Sequence, residues 1–388
     1  MTENKKIKIL QVSAALDQGG VERGTVEMAA FIVAQGAESW VASQGGRLVE
    51  KLKEHGSRHL QLPLAQRNPF AILYSAVKLR QLILKENISL VHARSRAPAW
   101  AAYWACCWTK VPFVTTFHGT HRIQNRLKKF YNSIMTRGVR VIAISKFIKR
   151  HVIENYEVPE SRIDVARRGF SPDAFNVDHI SLHQLDKLRE EMGFSSTVPV
   201  ISMPGRLTRW KGQTLFLMAL GEIKDLSWQA ILIGGAGKKL AYFEELKALA
   251  ESLGIADRVR FVGGQSEIAP YYALSSLVVS ASTEPEAFGR VVVEAQAMGI
   301  PVVASAHGGS LETVIDGKTG WLFINGEASD LADKLRQALD SEKVLKKMGA
   351  MALQWVTENY TVAKMCQAEW NTYLKVLLRN DSSMPVDD

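Results

Sequence analysis

The run Ile7-Lys8-Ile9-Leu10-Gln11-Val12, followed by Asp17-Gln18-Gly19-Gly20-Val21-Glu22-Arg23-Gly24, reads as a buried strand, a glycine turn and the start of a helix. That succession opens a parallel α/β sheet, in which a strand ends at a tight turn and a helix carries the chain back. Working outward, β-branched apolar runs at 40–43, 90–93, 113–117 and 139–144 alternate with helical patterns, as a βαβ series requires. The pattern breaks at Arg168-Gly169-Phe170-Ser171-Pro172-Asp173. A polar helical stretch through Met192 then leads to a second series of strands at 198–203, 229–234, 259–262, 277–280 and 301–304. No internal repeat or low-complexity segment is evident. The expected fold is α/β, with two Rossmann-like domains facing each other across a cleft. Their expected bounds are 1–180 and 195–360, with a C-terminal helix in 361–380 that crosses back to the first.

At 388 residues and 47% hydrophobic, the chain is long enough for two separate cores. Cys106, Cys107 and Cys366 have neither zinc spacing nor a disulfide pattern and read as buried thiols, so no metal is expected. The first strand begins too early for a secretory signal, and the longest apolar stretch, 97–108, is too short to span a bilayer. The expected location is cytoplasmic. Charge divides unevenly: residues 1–180 hold 27 Lys and Arg against 14 Asp and Glu, and the remainder 21 against 25. The first half is therefore expected to face an anionic partner, whether membrane surface, acidic glycolipid or nucleic acid.

Three loops carry candidate chemistry. Gly19 and Gly20 let backbone amides approach an anion at a helix start, but the spacing is not GxGxxG, and the loop reads equally as a tight turn. Pro204-Gly205-Arg206-Leu207-Thr208-Arg209-Trp210-Lys211-Gly212 sets cations at the carboxyl end of a strand, where open α/β sheets bind ligands; its plainer reading is a solvated basic loop. The third is Glu284-Pro285-Glu286-Ala287-Phe288-Gly289-Arg290-Val291-Val292-Val293-Glu294-Ala295. Its two carboxylates, Glu286 before a helix and Glu294 within it, lie roughly 12 Å apart along the axis. One can hold a ribose and the other a sugar, with a diphosphate between them at the helix start. The competing reading makes Glu286 a cap and Glu294 a surface residue.

These residues resemble the retaining nucleotide-sugar glycosyltransferases of family four, which adopt the two-lobed GT-B fold. The likeness covers nearly the whole chain. It rests on Gly19-Gly20-Val21-Glu22-Arg23, Phe117-His118-Gly119-Thr120, Gly205-Arg206 with Lys211-Gly212, Gly234-Gly235-Ala236-Gly237, and Glu286 through Glu294 followed by Gly299-Ile300-Pro301-Val302-Val303. The resemblance implies that Arg206 and Lys211 bind the donor diphosphate, Glu294 the ribose, and Glu286 with the Phe288-Gly289 backbone the transferred sugar. It implies His118 at the reaction centre, Gly19 and Gly20 near the donor phosphate, retention at the anomeric carbon, and no cofactor besides the nucleotide-sugar substrate. Without it, His118 reads as a structural histidine.

Residues 121–137, read as a helix, put Ile123, Leu127, Phe130, Tyr131 and Ile134 on one face, with Arg122, Arg126, Lys129 and Arg137 flanking it or facing away. This is either a membrane-surface helix or one packed on its own sheet. The expected acceptor is lipid-linked or polysaccharide, with an anionic glycolipid such as lipopolysaccharide core leading, held at the inner face of the cytoplasmic membrane. The alternatives are an epimerase of the same fold and a basic binding protein without transferase activity. No recognition helix, zinc finger or aromatic RNA platform is present in the pattern, so nucleic acid is not expected.

Overall fold

A computed structural model of the protein describes residues 6–17, 19–120, 125–237 and 240–381. The chain divides into two compact units, one formed by Met1–Arg167 with Val362–Asp388 and the other by Arg168–Thr361. The division falls at Arg168, where the sequence pattern breaks, rather than at 180. The helix Leu182–Met192 therefore belongs to the second unit, where Leu185 and Met192 pack against Val200 and Ile231.

The first unit is a parallel sheet of β1 (Lys8–Val12), β2 (Glu38–Ser43), β3 (Arg58–Gln61), β4 (Leu90–Ala93), β5 (Phe113–Phe117), β6 (Arg140–Ala143) and β7 (Ile163–Val165), in the order β3-β2-β1-β4-β5-β6-β7. Leu10 of β1 faces Trp40 on one side and Val91 on the other. Parallel neighbours need crossovers, and helices supply them. The first, Gly20–Ala34, buries Val26, Met28, Ala29 and Ile32 against the sheet. Strands β4 and β5 are buried at every residue, including the polar His92, Thr115 and Thr116 among their apolar residues.

The second unit repeats the plan with β8 (Val200–Pro204), β9 (Gln229–Ile233), β10 (Val259–Phe261), β11 (Leu277–Ser280), β12 (Val302–Ser305) and β13 (Gly320–Phe323), ordered β10-β9-β8-β11-β12-β13 and parallel throughout. Strands β3, β7 and β13 escape the sequence reading, and all three lie at sheet edges. β3 and β7 are short and partly exposed and so lack an apolar run, whereas β13 is mostly buried and apolar, and β10, the other edge of the second sheet, is read correctly.

The last helix, Val362–Asp381, belongs to the first unit. Met365, Cys366, Trp370, Tyr373 and Val376 pack with Ile9, Ile32, Leu90 and Ile142. A buried polar network lies beside this contact. Arg94, 0% exposed, donates to Glu369, 1% exposed, at 2.5 Å and to Gln11 Oε1 at 2.6 Å. His92 bridges Tyr373 and Thr116, each at 2.6 Å. Burial works against the Arg94 charge, but the Glu369 carboxylate more than offsets it and raises the guanidinium pKa. The chain segments that join the two units run together: Phe170 N donates to Tyr360 O at 2.8 Å.

The helix Arg96–Thr109 buries Ala99, Ala102 and Cys106, but Cys107 is exposed, which corrects the expectation of three buried thiols. Among the described residues no helix is long and apolar enough to cross a membrane.

Candidate active site

In a doubly wound sheet the strand order reverses at one point, where the loops at the carboxyl ends part and leave a crevice. In the second unit that point lies between β8 and β11. The loops leaving these strands are 205–212 and 281–289, which hold Arg206, Lys211 and Glu286.

The two loops are tied by contacts that only small residues permit. Gly212 has φ +80°, and a Cβ there would lie 1.8 Å from the Ala281 carbonyl oxygen. The close approach seats the turn Arg209–Lys211 against the end of β11, where Thr283 N donates to Trp210 O at 2.8 Å. Lys211 Nζ then pairs with Glu286 Oε1, and Ser282 Oγ donates to the same oxygen at 2.7 Å. The Lys211 ammonium also sits 4.4 Å from the Trp210 ring centroid, while Arg206 is exposed.

The loop after β12 fixes the backbone of Glu286. Gly309 N donates to Glu286 O at 2.8 Å, and Gly308, at φ +60°, would place a Cβ 2.6 Å from that oxygen. His307 Nε2 lies 2.6 Å from Ser282 O; a carbonyl only accepts, so Nε2 carries the proton. Gly289 caps the helix Arg290–Ala297, so the amides of Phe288, Gly289 and Arg290 lie at its positive end. Glu294, one turn further on, is 9% exposed rather than a surface residue. Arg290 pairs with its Oε1 at 3.0 Å, and the Tyr272 hydroxyl donates to Oε2 at 3.2 Å. Burial, and then the Glu294 charge, push the Tyr272 phenol well above its ordinary range, so it stays a neutral donor. Phe288 is buried, with its ring 5.7 Å from Tyr360.

The other expected residues belong to the first unit. Gly19 caps the helix Gly20–Ala34 in extended conformation and its carbonyl accepts from Arg23 N at 3.0 Å; Gln18 lies outside the described residues. His118 follows β5 at the carboxyl edge of the sheet and is half-buried. Of the basic segment, His121, Arg122, Ile123 and Gln124 lie outside the described residues. The described part forms a helix only over Arg126–Ser133, followed by a short turn at Ile134–Thr136. The apolar residues are not uniformly buried: Ile134 is fully buried, whereas Leu127 is 81% and Phe130 57% exposed. Sequence reasoning missed Ser282, Tyr272 and the 307–309 loop. His307-Gly308-Gly309 directly after a strand was a readable signal; Ser282 and Tyr272 offered none. Among the described residues, no group of three His, Cys, Asp or Glu could hold a metal ion.

Residues 184–355 match the family model described as glycosyl transferases group 1, and residues 18–174 that of glycosyltransferase family 4. The chain is 30% identical, over 73% of its length and 75% of the relative's, to a GDP-mannose-dependent alpha-(1-6)-phosphatidylinositol monomannoside mannosyltransferase of Mycobacterium tuberculosis. It is 26% identical to N-acetyl-alpha-D-glucosaminyl L-malate synthase of Bacillus anthracis, over 79% of this chain and 80% of that one. The crystal structure of a glycosyltransferase from Rickettsia africae superposes with a TM-score of 0.89 at 37% identity, covering 97% of this chain and all of that one. Two parallel Rossmann-like units with a charged, glycine-shaped crevice at the switch point of the second define a glycosyltransferase of the GT-B fold. Within that class, the chain belongs to the group 1, family 4 glycosyltransferases.

Proposed function

We propose that the protein transfers a hexose from a nucleotide-diphosphate donor to an anionic, membrane-held glycolipid, with retention of anomeric configuration. The observation that carries the donor half is the paired arrangement at the second unit's switch point: Lys211 against Glu286, and a buried Glu294 held by Arg290 and Tyr272. A diphosphate arriving there meets Arg206 and Lys211, so the cations neutralise the charge that develops as it leaves. Lys211 must exchange some of its contact with Glu286 for phosphate, which frees that carboxylate to accept from sugar hydroxyls. Glu294, held by Arg290 and Tyr272, is the carboxylate that accepts from the ribose diol in this reading.

In the chemical step the bond from the anomeric carbon to the phosphate oxygen breaks and a bond to the acceptor oxygen forms on the same face. The acceptor proton passes to the departing phosphate oxygen. No carboxylate nucleophile is required, and none is assigned. With charge neutralised by side chains, transfer is expected to persist in excess EDTA.

The acceptor half rests on the charge and exposed surface of the first unit. The helix Pro69–Glu86 turns Phe70, Leu73, Tyr74 and Val77 to solvent beside Lys78 and Arg80. With Leu127 and Phe130 exposed beside Arg126 and Lys129, apolar anchors stand among cations, as on a surface that meets anionic headgroups. The named activity of the mannosyl relative, on a phosphatidylinositol glycolipid, is in keeping with this. Thermal unfolding against UDP, GDP, ADP and their sugar conjugates tests the donor site. One nucleotide class should stabilise the protein and lose that effect in Glu294→Gln; stabilisation that survives the change would remove Glu294 from the site.

A further inference from the structure

The carboxylate that the transfer reading gives to the sugar is held through a neighbour. Glu286 Oε1 accepts from two groups, the Lys211 ammonium and the Ser282 hydroxyl, the latter at 2.7 Å. In the proposed reaction Lys211 exchanges part of this contact for phosphate, which leaves Ser282 Oγ to keep the carboxylate in place while the sugar arrives. A hydroxyl fixes its acceptor only as well as its own backbone is fixed. Ser282 is buried but lies just past β11, beyond the end of the sheet ladder. Its backbone therefore needs an anchor from outside the strand.

His307 supplies that anchor. It follows β12, and its Nε2–H donates to Ser282 O at 2.6 Å, so the loop leaving one strand is pinned to the loop leaving the next. With the proton on Nε2, Nδ1 is an acceptor, and it is buried without a hydrogen-bond partner among the described residues. The one hydrogen bond of the ring is thus directed at the segment that carries Ser282. The same short loop takes hold of Glu286 a second time. Gly309 N donates to Glu286 O at 2.8 Å, and Gly308 has no room for a Cβ, which would lie 2.6 Å from that oxygen. Main chain and side chain of Glu286 are therefore both set by the three consecutive residues 307–309, the side chain by way of Ser282. We propose that His307 is a positioning residue for recognition of the donor sugar, acting through Ser282 on Glu286. Its loss releases the Ser282 carbonyl, lets the hydroxyl move off Oε1 and removes the part of donor affinity that comes from the sugar. The part that comes from the nucleotide diphosphate, assigned to Arg206, Lys211 and Glu294, stays. The role of Glu286 rests on the transfer reading above, and the test separates the two.

Hydrogen exchange of the full-length, ligand-free protein reads the brace itself. Amides of residues 282–289 should exchange about tenfold or more faster in His307→Ala than in wild type. In His307→Gln, whose amide nitrogen reaches where Nε2 stood, they should exchange near the wild-type rate. Calorimetry reads the consequence, with UDP against its glucose, galactose and N-acetylglucosamine conjugates and GDP against GDP-mannose. For the conjugate that binds wild type best, the ratio of its affinity to that of the bare nucleotide should fall about tenfold in His307→Ala and in Ser282→Ala, with the nucleotide alone changed less than about threefold. His307→Gln should recover most of the ratio. An equal loss of nucleotide and conjugate in His307→Ala, as general loosening of the unit produces, overturns the proposal. So does a Gln variant that behaves like Ala, or exchange at 282–289 that does not change. If wild type binds none of these ligands, the transfer reading fails on its own, and the exchange rates of the three proteins decide whether His307 holds the segment.

Discussion

Lys211 illustrates how one side chain inherits its role from its neighbours. Gly212 brings it to the end of β11, and Glu286 with Ser282 fixes where its ammonium rests. Removing the charge by Lys211→Ala should lower turnover about a hundredfold or more, because a preorganised cation in the crevice is lost from the leaving group. Gly212→Ala should do similar harm without touching a charge, since its Cβ has no room at 1.8 Å from the Ala281 oxygen and the loop must move; steady-state rates with an unshifted melting temperature would distinguish displacement from unfolding. At this scale the sequence was informative where glycine and charge coincide. Arg206, Lys211 and Glu286 could be singled out because they follow strand ends beside glycines, and Glu294 because it lies in the motif that carries the family resemblance. Ser282 and Tyr272 could not, because a serine and a tyrosine signal nothing until folding brings them to a carboxylate.

Elements show a different balance between what pattern reveals and what packing decides. Central strands announced themselves as apolar runs, whereas β3 and β7, each at an edge, did not. The last helix is held to the first unit by apolar packing and by the Arg94–Glu369 pair, both partners buried. Glu369→Leu alone should destabilise the first unit by about 3–5 kcal/mol by stranding a buried guanidinium, while Arg94→Met with Glu369→Leu should recover most of that loss. Urea unfolding of the three proteins measures both. A second tie is acid-sensitive. Burial favours the neutral form of Asp164, yet hydrogen bonds from Arg140 and from Lys375 of the last helix outweigh it and lower the Asp164 pKa below the ordinary carboxylate value. A lowered folded pKa contributes stability above the unfolded value that is lost as pH falls through the folded one. Asp164→Asn should therefore be less stable than wild type at neutral pH, with the difference closing as the solution is acidified below the usual Asp range; a gap that widens in acid would contradict the assignment.

Across the whole molecule, chain order and spatial order part at the end of the sequence. The Arg168 break divides the two series of strands, but the first unit is completed only by Val362–Asp381. Ending the chain at Thr361 should expose the apolar surface around Ile9, Ile32 and Ile142 and leave the first unit unfolded or aggregated, as hydrogen exchange of β1 and β6 would report. In the proposed reaction the crevice of the second unit drives sugar transfer. Its most direct measurement follows transfer from labelled UDP- and GDP-hexoses to extracted membrane glycolipid, by the wild type and by Lys211→Ala, with the anomer of the product read by NMR. Transfer should keep the donor's anomeric configuration and run about a hundredfold or more slower in the variant. A Lys211→Ala protein that transfers as fast as wild type, or a product of inverted configuration, would contradict it.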